Sequence, residues 1–186
     1  NGTAVGGSMI SYMLEKARVV QQAREERNYH IFYQLVAAAK RDEQLRYDTA
    51  LEEPEHYNML NLGSLEPIPG VDDWQQFRET TAAATLMGVD DAAQQSVWQL
   101  LSGLLLLGNI EFVLTRHPSG EDASEVAHRP VLEEAAAFIK VQPDLLAKVL
   151  CSHEVRGASS VVYKLHSVEQ SEQCRDTMIR ALYDHL

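Results

Sequence analysis

A chain of 186 residues with a formal net charge of −11 has the length for one packed domain or part of a larger one, and that acidity argues against nucleic acid or an anionic membrane as its main partner. Its hydrophobic and aromatic content is that of a globular chain, and no apolar run reaches the roughly 20 residues that cross a bilayer. The two cysteines, Cys151 and Cys174, lack metal-ligand spacing and read as free thiols of a reducing cytosol.

The opening residues, Asn1 to Ser8, have no basic region, no apolar core and no initiating Met, so they read as a cut from a longer parent rather than a signal peptide. Thr3 to Val5 and Met9 to Met13 read as a short hairpin arm interrupted by Gly6-Gly7. Asn28 to Ala39 is expected to be a helix capped by Asn28, because Ile31 and Leu35, then Phe32 and Val36, repeat at a spacing of four. From Lys40 to Ile68 the chain is charged and broken by Pro54 and Pro67, which predicts short helices and loop. Pro69-Gly70-Val71-Asp72-Asp73 is a turn into a helix capped by Asp72 or Asp73, with Trp74, Phe77, Thr81 and Ala84 inward and Gly88 at its end.

Asp90 starts the next helix, whose last turns, Leu104 to Leu107, are apolar on every side and are expected to be fully buried. Ile110 to Leu114 reads as a strand and Thr115 to Ala127 as a polar loop. Val131 to Ile139 and Asp144 to Leu150 are helices separated by Gln142-Pro143. Glu154 to Leu165 reads as a hairpin around Gly157-Ala158-Ser159, and Ser167 caps a last helix running to about Asp184. The fold class expected is mainly α, with two or three short strand pairs.

Little in the sequence suggests chemistry. His30, beside Phe32 and Tyr33, reads as a hydrogen-bonded structural histidine rather than a ligand or base. The acid pairs Asp72-Asp73, Asp90-Asp91 and Glu133-Glu134 stand at helix starts, where dipole compensation accounts for them. No catalytic or metal-ligating set is indicated.

Several blocks, in order, carry a resemblance. They are Leu14-Glu15-Lys16-Ala17-Arg18-Val19-Val20, Glu26-Arg27-Asn28-Tyr29-His30-Ile31-Phe32-Tyr33-Gln34-Leu35, Pro69 to Phe77, and Trp98 to Leu107-Gly108-Asn109-Ile110-Glu111-Phe112. Leu132 to Ala136, Leu145 to Cys151 and, more loosely, Asp176 to Tyr183 complete the series. Together they resemble the myosin motor domain, and the chain is similar to its upper fifty-kilodalton, actin-binding subdomain throughout 1–186. The resemblance implies a fragment of a P-loop motor whose parent is an actin-activated, Mg-dependent ATPase. The Gly-rich phosphate loop and both switch segments that hold ATP and Mg are not in this sequence, so the piece alone is not expected to hydrolyse ATP and holds no cofactor. Light chains would bind elsewhere in the parent, and the location implied is cytoplasmic and cytoskeletal.

By the same resemblance, Cys151 to Leu165 is a surface loop that meets the actin filament, with Glu154, Arg156, Ser159, Ser160 and Lys164 as its candidate contacts. The family places an acidic or phosphorylatable residue near this loop's tip, sixteen residues before the position of Asp176, which is Ser160 here. A phosphate there would add nearly two negative charges; the alternative is an ordinary polar turn residue, and Ser159 takes the place if the alignment slips by one. Relatives often carry Arg where this chain has Glu154, so Arg156 and Lys164 are the candidate cations facing acidic actin. Thr115 to Ala127, with Glu121, Asp122 and Glu125 near Arg116 and Arg129, corresponds to a second family loop and reads better as a plain connector. Glu15 to Arg18 is expected to form ion pairs at a subdomain joint. The rival reading of the whole chain is a non-motor helical interaction module derived from such a head.

Overall fold

A computed structural model describes residues 15–116, 122–156 and 161–186. Helix α5 (Asp91–Gly108) is the hub: α2 (Glu43–Thr49), α3 (Asn58–Asn61), α4 (Asp73–Leu86), α6 (Arg129–Phe138) and α8 (Val168–Asp184) all pack on it. Its centrality follows from composition, since Leu101 and Leu104 to Leu107 are all buried. Fully burying one such side chain is worth about 1.5–3 kcal/mol. The expectation of an all-round buried end is met.

Helix starts obey local chemistry. The Asp90 carboxylate accepts from Ala93 N at 2.8 Å, and that of Asp72 from Trp74 N at 2.9 Å. Ser167 and Gln170 form a reciprocal capping box at the start of α8. Pro130 and Pro143 occupy first turns of α6 and of α7 (Pro143–Cys151), where their missing N–H costs nothing. Gly88 ends α4 with φ of 89°, a conformation that side chains with a Cβ rarely adopt. The broken segment after Lys40 forms α2, a 3-10 turn at Pro54–His56 and α3, as its prolines predict. The expected arm over Thr3 to Met13 lies outside the described residues.

Asn28 does not cap α1 (His30–Ala39). It is 1 % exposed, and its Nδ2 donates to Val19 O and Met59 O at 3.0 and 3.1 Å while its Oδ1 accepts from Tyr29 N. A buried amide must satisfy all its groups, and here that stitches three segments of chain together. His30 also departs from expectation: it is exposed on the first turn of α1.

The strands form two separate antiparallel pairs. Strand β1 (Phe112–Arg116) pairs with β2 (Asp122–Val126), Phe112 facing Val126 and Arg116 facing Asp122. β1 starts later than predicted because Ile110 N still bonds Leu107 O and Ile110 is fully buried. The region read as a polar loop contains β2. Its polar residues concealed a packed strand: Ala123 and Ser124 are buried, and the Ser124 hydroxyl shares a 2.6 Å hydrogen bond with that of Ser171 on α8. The second pair is β3 (Ser152–Arg156) with β4 (Val161–Leu165). Cys151 and Cys174 are free thiols, as the sequence suggests, and burial pushes both above the usual thiol range.

Two close contacts hold the segment before α1. Gly63 sits against the turn at 22–26: a Cβ there would lie 2.0 Å from Glu26 O, the same oxygen that accepts from Ser64 N at 2.8 Å. Arg27 has a side chain only 7 % exposed, pairs with Asp73 at 2.8 Å, and stacks its guanidinium 3.7 Å from the centre of the Tyr33 ring. Helices α1 and α4 also meet through Gln34, whose Nε2 donates to Gln76 Oε1 and whose Oε1 accepts from the Thr80 hydroxyl.

Buried phenols make stability sensitive to alkali. Tyr57 is 2 % exposed, its oxygen accepts from Glu52 N, and burial pushes its ionisation up to about 12. Burial also raises Tyr183, which stacks on Tyr29 at 4.7 Å. Above the ordinary tyrosine value of about 10, the unfolded chain loses protons that the folded chain keeps, so stability falls as pH rises. Melting followed by circular dichroism should show a steep loss between about pH 10 and 12, and Tyr57→Phe should flatten it. An unchanged slope in that variant would mean that Tyr57 is not a source.

Candidate functional site

The β3–β4 hairpin follows α7 directly, and its described residues from His153 to Lys164 are exposed. Ser152 Oγ donates to Lys148 O at 2.7 Å, and His166 N donates to Cys151 O at 2.9 Å. On one side Lys148 Nζ lies 3.6 Å from the centre of the Tyr163 ring. On the other, His153 Nδ1 lies 3.0 Å from His166 Nε2. The root is therefore fixed at both faces.

The register sorts the candidate contacts. Glu154 faces Tyr163 and Arg156 faces Val161, while His153 faces Lys164 and Val155 faces Val162. Cross-strand partners share a face and successive residues alternate, so Glu154 and Arg156 lie together and Lys164 lies on the opposite face. Arg156 forms an ion pair with Glu154. The charge expected of Arg156 is thus offset within the hairpin, whereas Lys164 stands on the strand face that carries no carboxylate. Ser159 and Ser160 lie outside the described residues.

Sequence reasoning missed the apolar character of this hairpin. Val155, Val161, Val162 and Tyr163 are all exposed, with Val162 at 59 %. The signal was present in the run Val161-Val162-Tyr163 opposite Val155, where polar residues would suit a solvated hairpin better. A neutral ion pair beside exposed valines is suited to an apolar docking contact with a charged rim.

The second hairpin is less open. Arg129 donates to Glu133 at 2.8 Å and to Asp144 at 2.7 Å, so this cation is engaged within the fold. Glu125 faces Val113, and Glu121 lies outside the described residues. At the start of the described chain, Arg18 bridges Glu15 and Glu26 at 2.8 Å each, and Lys16 pairs with Asp184. The expected ion pairs of this segment are present. No helix among the described residues is long and apolar enough to cross a membrane.

Comparison with known proteins decides the family. A profile described as myosin head (motor domain) matches residues 1–186. The chain belongs to the myosin head family. It is 35 % identical over 184 residues to myosin-J heavy chain of Dictyostelium discoideum, covering 98 % of this chain and 8 % of that protein. It is 34 % identical over 186 residues to myosin IC heavy chain of Acanthamoeba castellanii, covering 100 % and 15 %. Unconventional myosin-Va of Homo sapiens matches at 35 % over 187 residues, covering 98 % and 10 %. The chain therefore spans about a tenth of the length of such relatives, and its mainly helical architecture with two small hairpins is that of a motor-domain fragment.

Proposed function

We propose that this chain is the upper fifty-kilodalton subdomain of an ATP-driven cytoskeletal motor and that its β3–β4 hairpin meets the actin filament. The observation that carries the reading is the hairpin itself, rooted on both faces at α7 and presenting Val155, Val161, Val162 and Tyr163 to solvent. A rigid root limits the ordering cost of docking, and the exposed valines supply apolar area at the centre of a contact. Lys164 supplies positive charge toward an acidic filament, and Glu154 with Arg156 forms a neutral rim pair. Ser160, or Ser159 beside it, is the residue whose phosphorylation would change the charge of the tip. ATP and Mg would be held by parts of the parent outside this sequence. The body would form one wall of a cleft that closes on actin, in a cytoplasmic, cytoskeleton-associated protein whose light chains bind elsewhere.

The test is actin cosedimentation of the full-length protein with and without ATP. Val162→Glu, exposed and outside the core, is expected to weaken binding about tenfold, equivalent to about 1.4 kcal/mol, while leaving the melting temperature unchanged. Ser160→Ala and Ser160→Glu are expected to differ in actin-activated ATPase rate. No actin binding in either nucleotide condition would sink the motor reading and favour an interaction module derived from a myosin head.

A further inference from the structure

The two imidazoles at the hairpin root face each other nitrogen to nitrogen. His153 Nδ1 and His166 Nε2 are 3.0 Å apart, with ring centres at 5.1 Å and planes inclined by 27°. The far nitrogen of His166, Nδ1, lies 2.8 Å from Leu150 O. A carbonyl only accepts, so this Nδ1 carries the proton and neutral His166 presents its lone pair at Nε2. His153 Nδ1 therefore donates to it. A backbone carbonyl on the far nitrogen is also what orients metal-ligating histidines. Moreover, two nitrogens bonded at 2.0–2.1 Å to a tetrahedral ion stand roughly 3.3 Å apart, close to the separation seen here.

The geometry points to an open site for a zinc-type divalent ion, held by His153 Nδ1 and His166 Nε2 in place of the proton between them. The exchange balances without an outside reactant. His153 is exposed, so Nδ1 gives its proton to water and its freed lone pair to the ion, while Nε2 of the same ring takes a proton up from water and the ring stays neutral. His166 keeps its Nδ1 proton and its bond to Leu150 O. Water fills the remaining positions, because among the described residues no three His, Cys, Asp or Glu side chains form a ligand set. Cys174 lines the same groove of about 510 Å³, but its thiol donates to Val149 O. Two cations flank the site: Lys164 faces His153 in the register, and Lys148 covers Tyr163 on the other side. Both weaken it, so the ion is exchangeable rather than structural. This inference does not rest on the actin reading.

The experiment is calorimetric titration of Zn²⁺ into the full-length protein, wild type against His153→Ala and His153→Gln, with excess Mg²⁺ present throughout. His153 is exposed, and unchanged melting curves would show that both variants fold. Wild type is expected to bind one Zn²⁺ ion that each variant loses or binds at least about tenfold more weakly. His166→Ala should lose the same ion, although it also removes the bond to Leu150 O. Equal stoichiometry and affinity in wild type and the His153 variants would overturn the site, as would displacement of the ion by Mg²⁺, which imidazole does not favour.

Discussion

Gly63→Ala should destabilise the protein by about 3 kcal/mol, at the upper end of the usual cost of overpacking. The added Cβ would stand 2.0 Å from Glu26 O and 3.2 Å from both Ala23 O and the Gln22 Cβ. Two of these neighbours are backbone atoms, which cannot rotate away. The obstructed oxygen also accepts from Ser64 N, so any outward shift of residues 62–64 breaks the bond that docks them. By contrast, a Cβ at Gly108 would meet the Met59 side chain at 2.5 Å, and a flexible thioether can move. Gly108→Ala is therefore the milder substitution. Chemical denaturation of the two variants checks this order; a Gly63→Ala midpoint equal to wild type would mean that the turn at 22–26 yields freely.

Asp73→Ala is expected to cost about 3 kcal/mol for a different reason: it strands a buried cation. Arg27 is 93 % covered in its side chain, being 7 % exposed, and its Nε is already buried without a hydrogen-bond partner. Asp73 is its carboxylate partner, with contacts at 2.8 and 3.4 Å. Asp73 also lies in the first turn of α4, where a negative charge is worth roughly 0.3–1 kcal/mol against the helix dipole. Asp91→Ala, in the first turn of α5, measures that smaller effect alone. The double variant Arg27→Met with Asp73→Leu should recover most of the lost stability, since removing both charges leaves nothing buried and unpaired. A loss for Asp73→Ala no larger than for Asp91→Ala would mean that water reaches Arg27.

What the sequence revealed was mostly local. Asp72, Asp90 and Ser167 could be read as caps because the cap and its amide partners lie within three residues. The Leu104 to Leu107 run was legible because an all-round apolar helix has only one comfortable place. The β3–β4 hairpin was legible from its turn residues. What stayed hidden depended on partners far along the chain. Asn28 looks like a cap until Val19 and Met59 claim its amide. β2 looks like a loop until Ser171 meets Ser124, forty-seven residues away. The Asp73 pairing with Arg27 spans forty-six residues, so a first-turn acid was read only as dipole compensation. In the candidate site, charges drew attention and the valines did not, although exposed apolar residues are the rarer and more telling feature of a surface hairpin.

The stack of Tyr183 on Tyr29, with Lys16 reaching Asp184 beside it, places the first and last described elements next to each other. Mechanically this makes one joint out of two ends. A pull applied between residues 16 and 184 would load that ion pair and then peel apart the aromatic stack, contact by contact. The buried leucines of α5 lie deeper than this joint and are held by far more packing than one ion pair and one stack. Held by one solvent-facing ion pair and one aromatic stack, the joint is expected to yield to load before the core does.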